Sequence, residues 1–122
     1  MTKTIAFQGE LGANSHIACQ EAYPRYKELP CPTFEDAFIA VRSSRADLAT
    51  ITIDNTLAGR VADIHHLMPA SGLHTVNEWF LPVQHQLLAV KGASLKTLKT
   101  VESHVHALGQ CRKVIRKLGL KA

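Results

Sequence analysis

The sequence predicts an α/β fold with a largely parallel sheet and helices on its faces, and three observations carry that expectation. Short runs rich in β-branched and apolar residues alternate with stretches of helical periodicity. The joints between them are polar and glycine-bearing. The order reads βαβαβα, then a long strand, then βα, and repeated βα units imply crossovers that lay helices over parallel strands.

Thr4-Ile5-Ala6-Phe7-Gln8 reads as the first strand, and Gly9 to Ser15 as a turn running into a helix that ends near Tyr23-Pro24. A short strand covers Glu28 to Cys31, where Pro30 and Pro32 are tolerated only at a sheet edge or at the strand's limits. Thr33-Phe34-Glu35-Asp36 resembles a capping box with Asp in place of Glu, and Phe34, Ala37, Phe38 and Val41 line one face of the helix that follows. Asp47 to Ile53 is rich in β-branched residues and lacks helical periodicity, so it is the third strand. Val61, Ile64, Leu67 and Met68 then keep helical spacing until Pro69 and Gly72. Strand character returns over Leu73 to Val76 and Leu81 to Val90, with Lys91-Gly92-Ala93 as a turn and a further short strand over residues 99–103. Ser103 is placed to cap a basic helix that runs to Gly119, and Leu120-Lys121-Ala122 begins a next strand. Residues 1–80 therefore read as a first lobe and residues 81–122 as the start of a second lobe that is cut short.

At 122 residues, 46% hydrophobic and 20% charged, the chain suits one hydrophobic core rather than disorder. No apolar run approaches the roughly 20 residues of a membrane helix, and Met1-Thr2-Lys3-Thr4 leads into a strand rather than a signal peptide. A cytoplasmic location is expected, with no membrane partner. Cys19, Cys31 and Cys111 form no CxxC pair and read as reduced thiols in the core. The net charge of +4 belongs to the tail: residues 91–122 carry eight Lys/Arg against one Asp/Glu. Leu108, Cys111, Ile115 and Leu118 recur there at helical spacing, so Arg112, Lys113, Arg116 and Lys117 form a solvated face. No aromatics are interleaved for base stacking, and nucleic acid is not expected as a partner.

Polar residues gather at three strand-to-helix joints. Asp54, Asn55 and Thr56 follow the third strand, where they either line a ligand crevice or belong to an ordinary loop that caps the next helix. The Gly9–Ser15 turn lacks the third glycine of a dinucleotide fingerprint and the Gly-Lys-Ser/Thr of a P-loop. What it offers is a helix start with free N–H groups and the Ser15 hydroxyl, suited to a carboxylate. Ser103 offers the same chemistry farther on. The histidines invite a metal reading that their spacing opposes, since adjacent His65 and His66 diverge on a helix and no H-E-x-x-H motif is present. Ser103, His104 and Asp54 make no catalytic triad, because neighbouring residues are poorly placed as nucleophile and base.

Three segments taken together resemble the prephenate dehydratase family: Ile5 to Ser15, Ile53 to Val61, and Ser103 to Cys111. The family's patterns there are FxGxxGA-S, P-I-E-N-S-x-x-G and S-H-P-Q-A-L-x-Q-C. This chain carries Thr52 in place of the proline, Asp54 and Thr56 in place of glutamate and serine, and Val105-His106 in place of Pro-Gln. The resemblance implies a two-lobed fold like that of type II periplasmic binding proteins. It also implies loss of carbon dioxide and hydroxide from prephenate to give phenylpyruvate, with no metal or organic cofactor and a homodimeric intact enzyme. Ser15, Asn55, Thr56, Ala58, Gly59, Ser103, His104 and Gln110 are the substrate contacts it implies, with Asp54 orienting the turn. The family's catalytic threonine, in a Thr-Arg-Phe motif, is expected beyond Ala122, as is a regulatory ACT domain, so this chain alone is expected to lack that group. A non-catalytic small-molecule-binding module of the same two-lobed architecture is the alternative.

Overall fold

Ile5, Ala6 and Phe7 are all buried, and a strand buried on both faces belongs at the centre of a covered sheet. The computed structural model describes residues 2–55 and 59–122 and places them so. Strand β1 (Thr4–Gln8) pairs in parallel with β2 (Lys27–Cys31) on one side and β3 (Leu48–Thr50) on the other, giving the order β2-β1-β3. Helix α1 (Asn14–Ala22) joins β1 to β2, and α2 (Phe34–Arg42) joins β2 to β3. The two connections step to opposite sides of β1, so crossovers of one hand lay the two helices on opposite faces.

The period of two along β1 then sorts the core. Ile5 and Phe7 pack with Cys19 of α1, flanked by Tyr23, Tyr26 and Leu48. Ala6 points the other way and packs with Ala37 and Ala40 of α2, with Cys31 and Ala46 beside them. Small residues on both partners leave nothing to hold α2 off the sheet. The N-cap half of the expected capping box opens α2: Thr33 Oγ1 accepts from the Asp36 N–H at 3.1 Å, and its hydroxyl, in place of its backbone N–H, donates to Asp36 Oδ2 at 2.8 Å. At its other end Ser44 adopts φ +63°, letting Arg45 N–H reach the Ala40 carbonyl at 2.9 Å and Ser44 N–H the Val41 carbonyl at 3.1 Å. This is a Schellman closure made without glycine.

Beyond β3 the chain forms β4 (Asp54–Asn55) and β5 (Gly59–Arg60), which make a two-stranded sheet, then α3 (Ala62–Leu67) and a 3-10 turn over Met68–Ala70. The third strand is thus shorter than the expected Asp47–Ile53. The helix after it starts at the cap Val61, well past Asn55. The chain divides into two compact units, the first comprising residues through Asp54 together with Arg60–Pro82, the second Val83–Ala122 with Asn55 and Gly59.

The second unit holds α4 (Val105–Gln110), α5 (Arg112–Lys117) and a parallel bridge between Thr100 and Lys121. Gly119, at φ +67°, closes α5 as expected: Leu120 N–H reaches the Ile115 carbonyl at 3.0 Å. The predicted single helix from Ser103 is instead two six-residue helices meeting at Cys111, and the cap is His104, whose Nδ1 accepts from His106 N–H at 3.2 Å. Cys111 is half-buried at this joint, while Cys19 and Cys31 are core residues as expected. Arg112, Lys113, Arg116 and Lys117 are exposed, a solvated face.

Three expected strands are not formed. Residues 72–90 carry neither helix nor strand, and of residues 99–103 only Thr100 makes a bridge. Val76, Phe80, Leu88 and Val90 are 73%, 80%, 87% and 81% exposed, so the apolar pattern that suggested strands has no face to cover among the described residues. A strand exists only where a partner takes its backbone hydrogen bonds, and periodicity cannot supply one.

Candidate functional site

In a sheet ordered β2-β1-β3 the connections leaving β1 and β3 part company, and the crevice beyond their carboxyl ends is where α/β proteins bind ligands. The chain turns out of β1 at Gly9, whose φ of +123° glycine adopts at little cost and an L side chain would strain to reach, and Gly9 N–H caps β2 by bonding the Cys31 carbonyl at 3.0 Å. Gly12 follows at φ +92°. Helix α1 opens on Ala13, which has no side chain to cap it, so the first N–H groups of α1 are left without a side-chain partner beside the crevice. Ser15 in this first turn brings its hydroxyl to 3.4 Å from that of Thr52, two residues past β3. One contact therefore ties the two sides of the switch point together.

Asn55 lies in β4 and Gly59 in β5, close in chain to Thr52. Thr56 and Ala58 lie outside the described residues. In the second unit Ser103 and His104 are exposed just before α4, and the His104 ring stacks on that of His106 with centroids 5.0 Å apart. Gln110, at the end of α4, is half-buried with Oε1 2.5 Å from His85 Nε2. With the proton on that Nε2, Gln110 Oε1 is the acceptor and its amide N–H groups keep their donor capacity.

The sequence reading missed Thr52, His85 and His16 as members of these arrangements. Thr52 had a signal in its departure from the family's proline. His85 had none, since its partner lies 25 residues away. Among the described residues, no group of three or more His, Cys, Asp or Glu gathers as a metal would need. A surface cavity of about 450 Å³ lined by Gln8, Pro32, Thr33, Phe34, Glu35, His66 and Leu67 contains none of the expected site residues. Burial pushes the Cys19 and Cys31 thiols above their ordinary range, which keeps them protonated and unreactive.

The family model for prephenate dehydratase matches residues 5–122. The chain belongs to the prephenate dehydratase family. Among curated members, it is 45% identical over 118 residues to a bifunctional N-acyl-homoserine lactone acylase/prephenate dehydratase of Komagataeibacter europaeus, covering 97% of this chain and 42% of that protein. It is 40% identical to arogenate dehydratase/prephenate dehydratase 2 of Arabidopsis thaliana, covering 95% of this chain and 30% of that protein. A solved prephenate dehydratase in complex with L-Phe, from Arthrobacter aurescens, superimposes with a TM-score of 0.83 at 25% identity over 97% of this chain and 41% of its own. GqqA, described as a novel type of quorum-quenching acylase, superimposes with a TM-score of 0.77 at 44% identity, over 98% and 44%. The chain spans less than half the length of these prephenate dehydratase relatives.

Proposed function

We propose that this chain supplies one wall of the substrate site of a prephenate dehydratase, in a fold of two lobes like the type II periplasmic binding proteins, with residues 1–80 in the first lobe and 81–122 opening the second. The observation that carries the reading is the Ser15–Thr52 contact at the switch point, beside the start of a helix with no side-chain cap. Prephenate bears two carboxylates and a leaving hydroxyl on a ring that becomes aromatic. Free N–H groups and a hydroxyl at a helix start suit a carboxylate, and preorganised donors of this kind stabilise charge without rearranging. Asn55 and Thr56 complete that wall, with Ala58 and Gly59 giving the substrate close backbone approach and Asp54 orienting the turn. Ser103, His104 and Gln110 are the further proposed substrate contacts. Arogenate, the amino counterpart named for several relatives, presents the same ring and ring carboxylate. The reading carries with it a cytoplasmic homodimer working without metal or organic cofactor.

Calorimetry with prephenate tests it. Ser15→Ala is expected to weaken binding about tenfold, the value of one hydrogen bond to a charged group, with Asn55→Ala similar. Equal affinity in wild type and both variants removes this wall from the site. The 45% identity to a protein whose name includes N-acyl-homoserine lactone acylase favours a second reading, acylase activity. Parallel calorimetric titrations with prephenate and with an N-acyl-homoserine lactone separate the two.

A further inference from the structure

His16 is buried in the core beneath the Gly9–Ser15 turn, and all three of its surroundings are specific. Its ring stacks on Phe7 with centroids 5.5 Å apart and planes 23° apart. Nδ1 accepts the Gly12 N–H at 2.8 Å. Nε2 lies 3.2 Å from Glu28 Oε2 on β2, an ion-pair contact, and no aligned hydrogen-bond acceptor serves it among the described residues.

We propose that His16 is a positioning residue that holds the Gly9–Ser15 turn, and through it the Ser15 hydroxyl, by accepting the Gly12 amide proton on a nitrogen that Glu28 keeps unprotonated. The logic is that of a capping box's return half, in which the third residue of a helix reaches back to an N–H before its start. His16 occupies that third position in α1, and Ala13 at the cap contributes no side chain, so this bond is the turn's side-chain tie to its helix. A carboxylate facing one ring nitrogen draws the proton there and leaves the other as acceptor, as in the carboxylate–histidine pairs that fix tautomers elsewhere. Imidazolium carries protons on both nitrogens. Protonation therefore turns the Gly12 acceptor into a donor and releases the turn, while the contact with Glu28 strengthens. Other titratable groups on the elements packed here include Cys19 and Glu21 on α1, Glu10 in the turn itself, and Tyr23 and Tyr26, which pack against the same cluster. The consequence for substrate binding rests on Ser15 touching prephenate.

Amide NMR of the whole chain across the His16 titration tests the tie, with exchange protection of Gly12 as the readout. Gly12 and Ser15 resonances are expected to move with the ring signals, and Gly12 protection to fall about fivefold on protonation, as an ordinary hydrogen bond dictates. His16→Asn places an oxygen near Nδ1 and does not titrate, so it keeps Gly12 protected at every pH. His16→Leu retains packing on Phe7 and loses protection at every pH; by calorimetry it weakens prephenate binding about fivefold, and His16→Asn restores the affinity. Unmoved Gly12 and Ser15 signals while the ring titrates, or equal protection in wild type and His16→Leu, overturn the proposal. Intact amide coupling in a chain that fails to bind prephenate overturns the substrate reading of Ser15 alone.

Discussion

Replacing Phe7 by alanine strikes the strand from which the site turn departs. The side chain is fully buried, packs with Ile5 and Cys19, and carries the His16 ring on its face. Losing the ring withdraws on the order of 100 Å² of apolar surface, about 2.5 kcal/mol at roughly 25 cal/mol per Å². The void adds about 1–2 kcal/mol, since roughly 24 cal/mol is lost for each Å³ that fails to collapse. The expected total of about 4 kcal/mol is a large share of the roughly 5–15 kcal/mol that holds a domain together. Urea unfolding followed through the single tryptophan measures it, because Trp79 Nε1 donates to Glu21 Oε2 on α1 at 3.2 Å and so reports on the same unit. The midpoint should fall with the slope unchanged, and Phe7→Leu should cost about a third as much. A loss below about 1.5 kcal/mol for Phe7→Ala would refute the placement of this ring in the core.

Ser44→Gly should stabilise the first unit by about 0.5–1 kcal/mol, because an L-residue at φ +63° costs more than glycine's extra freedom in the unfolded chain; a rise in Tm checks it. The Cys19 and Cys31 thiols, raised mainly by burial, hold their protons in the folded state above the 9.0 of a free thiol. Their contribution to stability is therefore whole below that pH and is lost as pH rises through the folded values, and a stability profile that stays flat on the alkaline side would contradict it.

The sheet and its helices were legible because their signals are local or self-consistent. Thr33 and Asp36 announce a cap within four residues, and Ile5, Ala6 and Phe7 announce a strand covered on both sides. Leu81 to Val90 has a comparable apolar, strand-like composition and forms no strand, since pairing depends on residues elsewhere and composition says nothing about them. The site divides in the same way. Ser15 follows from its position at a helix start, whereas its neighbour Thr52 is 37 residues away and emerges only once β1 and β3 lie side by side. His16 was readable in principle as the third residue after an uncapped start, but a histidine in place of Glu or Gln hides the motif. The start of the last helical stretch at His104 turned on a ring nitrogen bonding a backbone amide, which no propensity encodes.

The register of the sheet has a consequence for how the chain is made. Thr4 meets Lys27 and Ile5 meets Leu48, so closing the second pairing spans roughly twice the chain of the first and costs only about 0.6 kcal/mol more in entropy. Every strand of this sheet has left the ribosome once Thr50 has, before residues 51–122 emerge. β2 can dock on one edge of β1 with α1 across it, and β3 then joins the opposite, still open edge. Each arriving strand adds to a free border, and no pair already formed has to part to admit it.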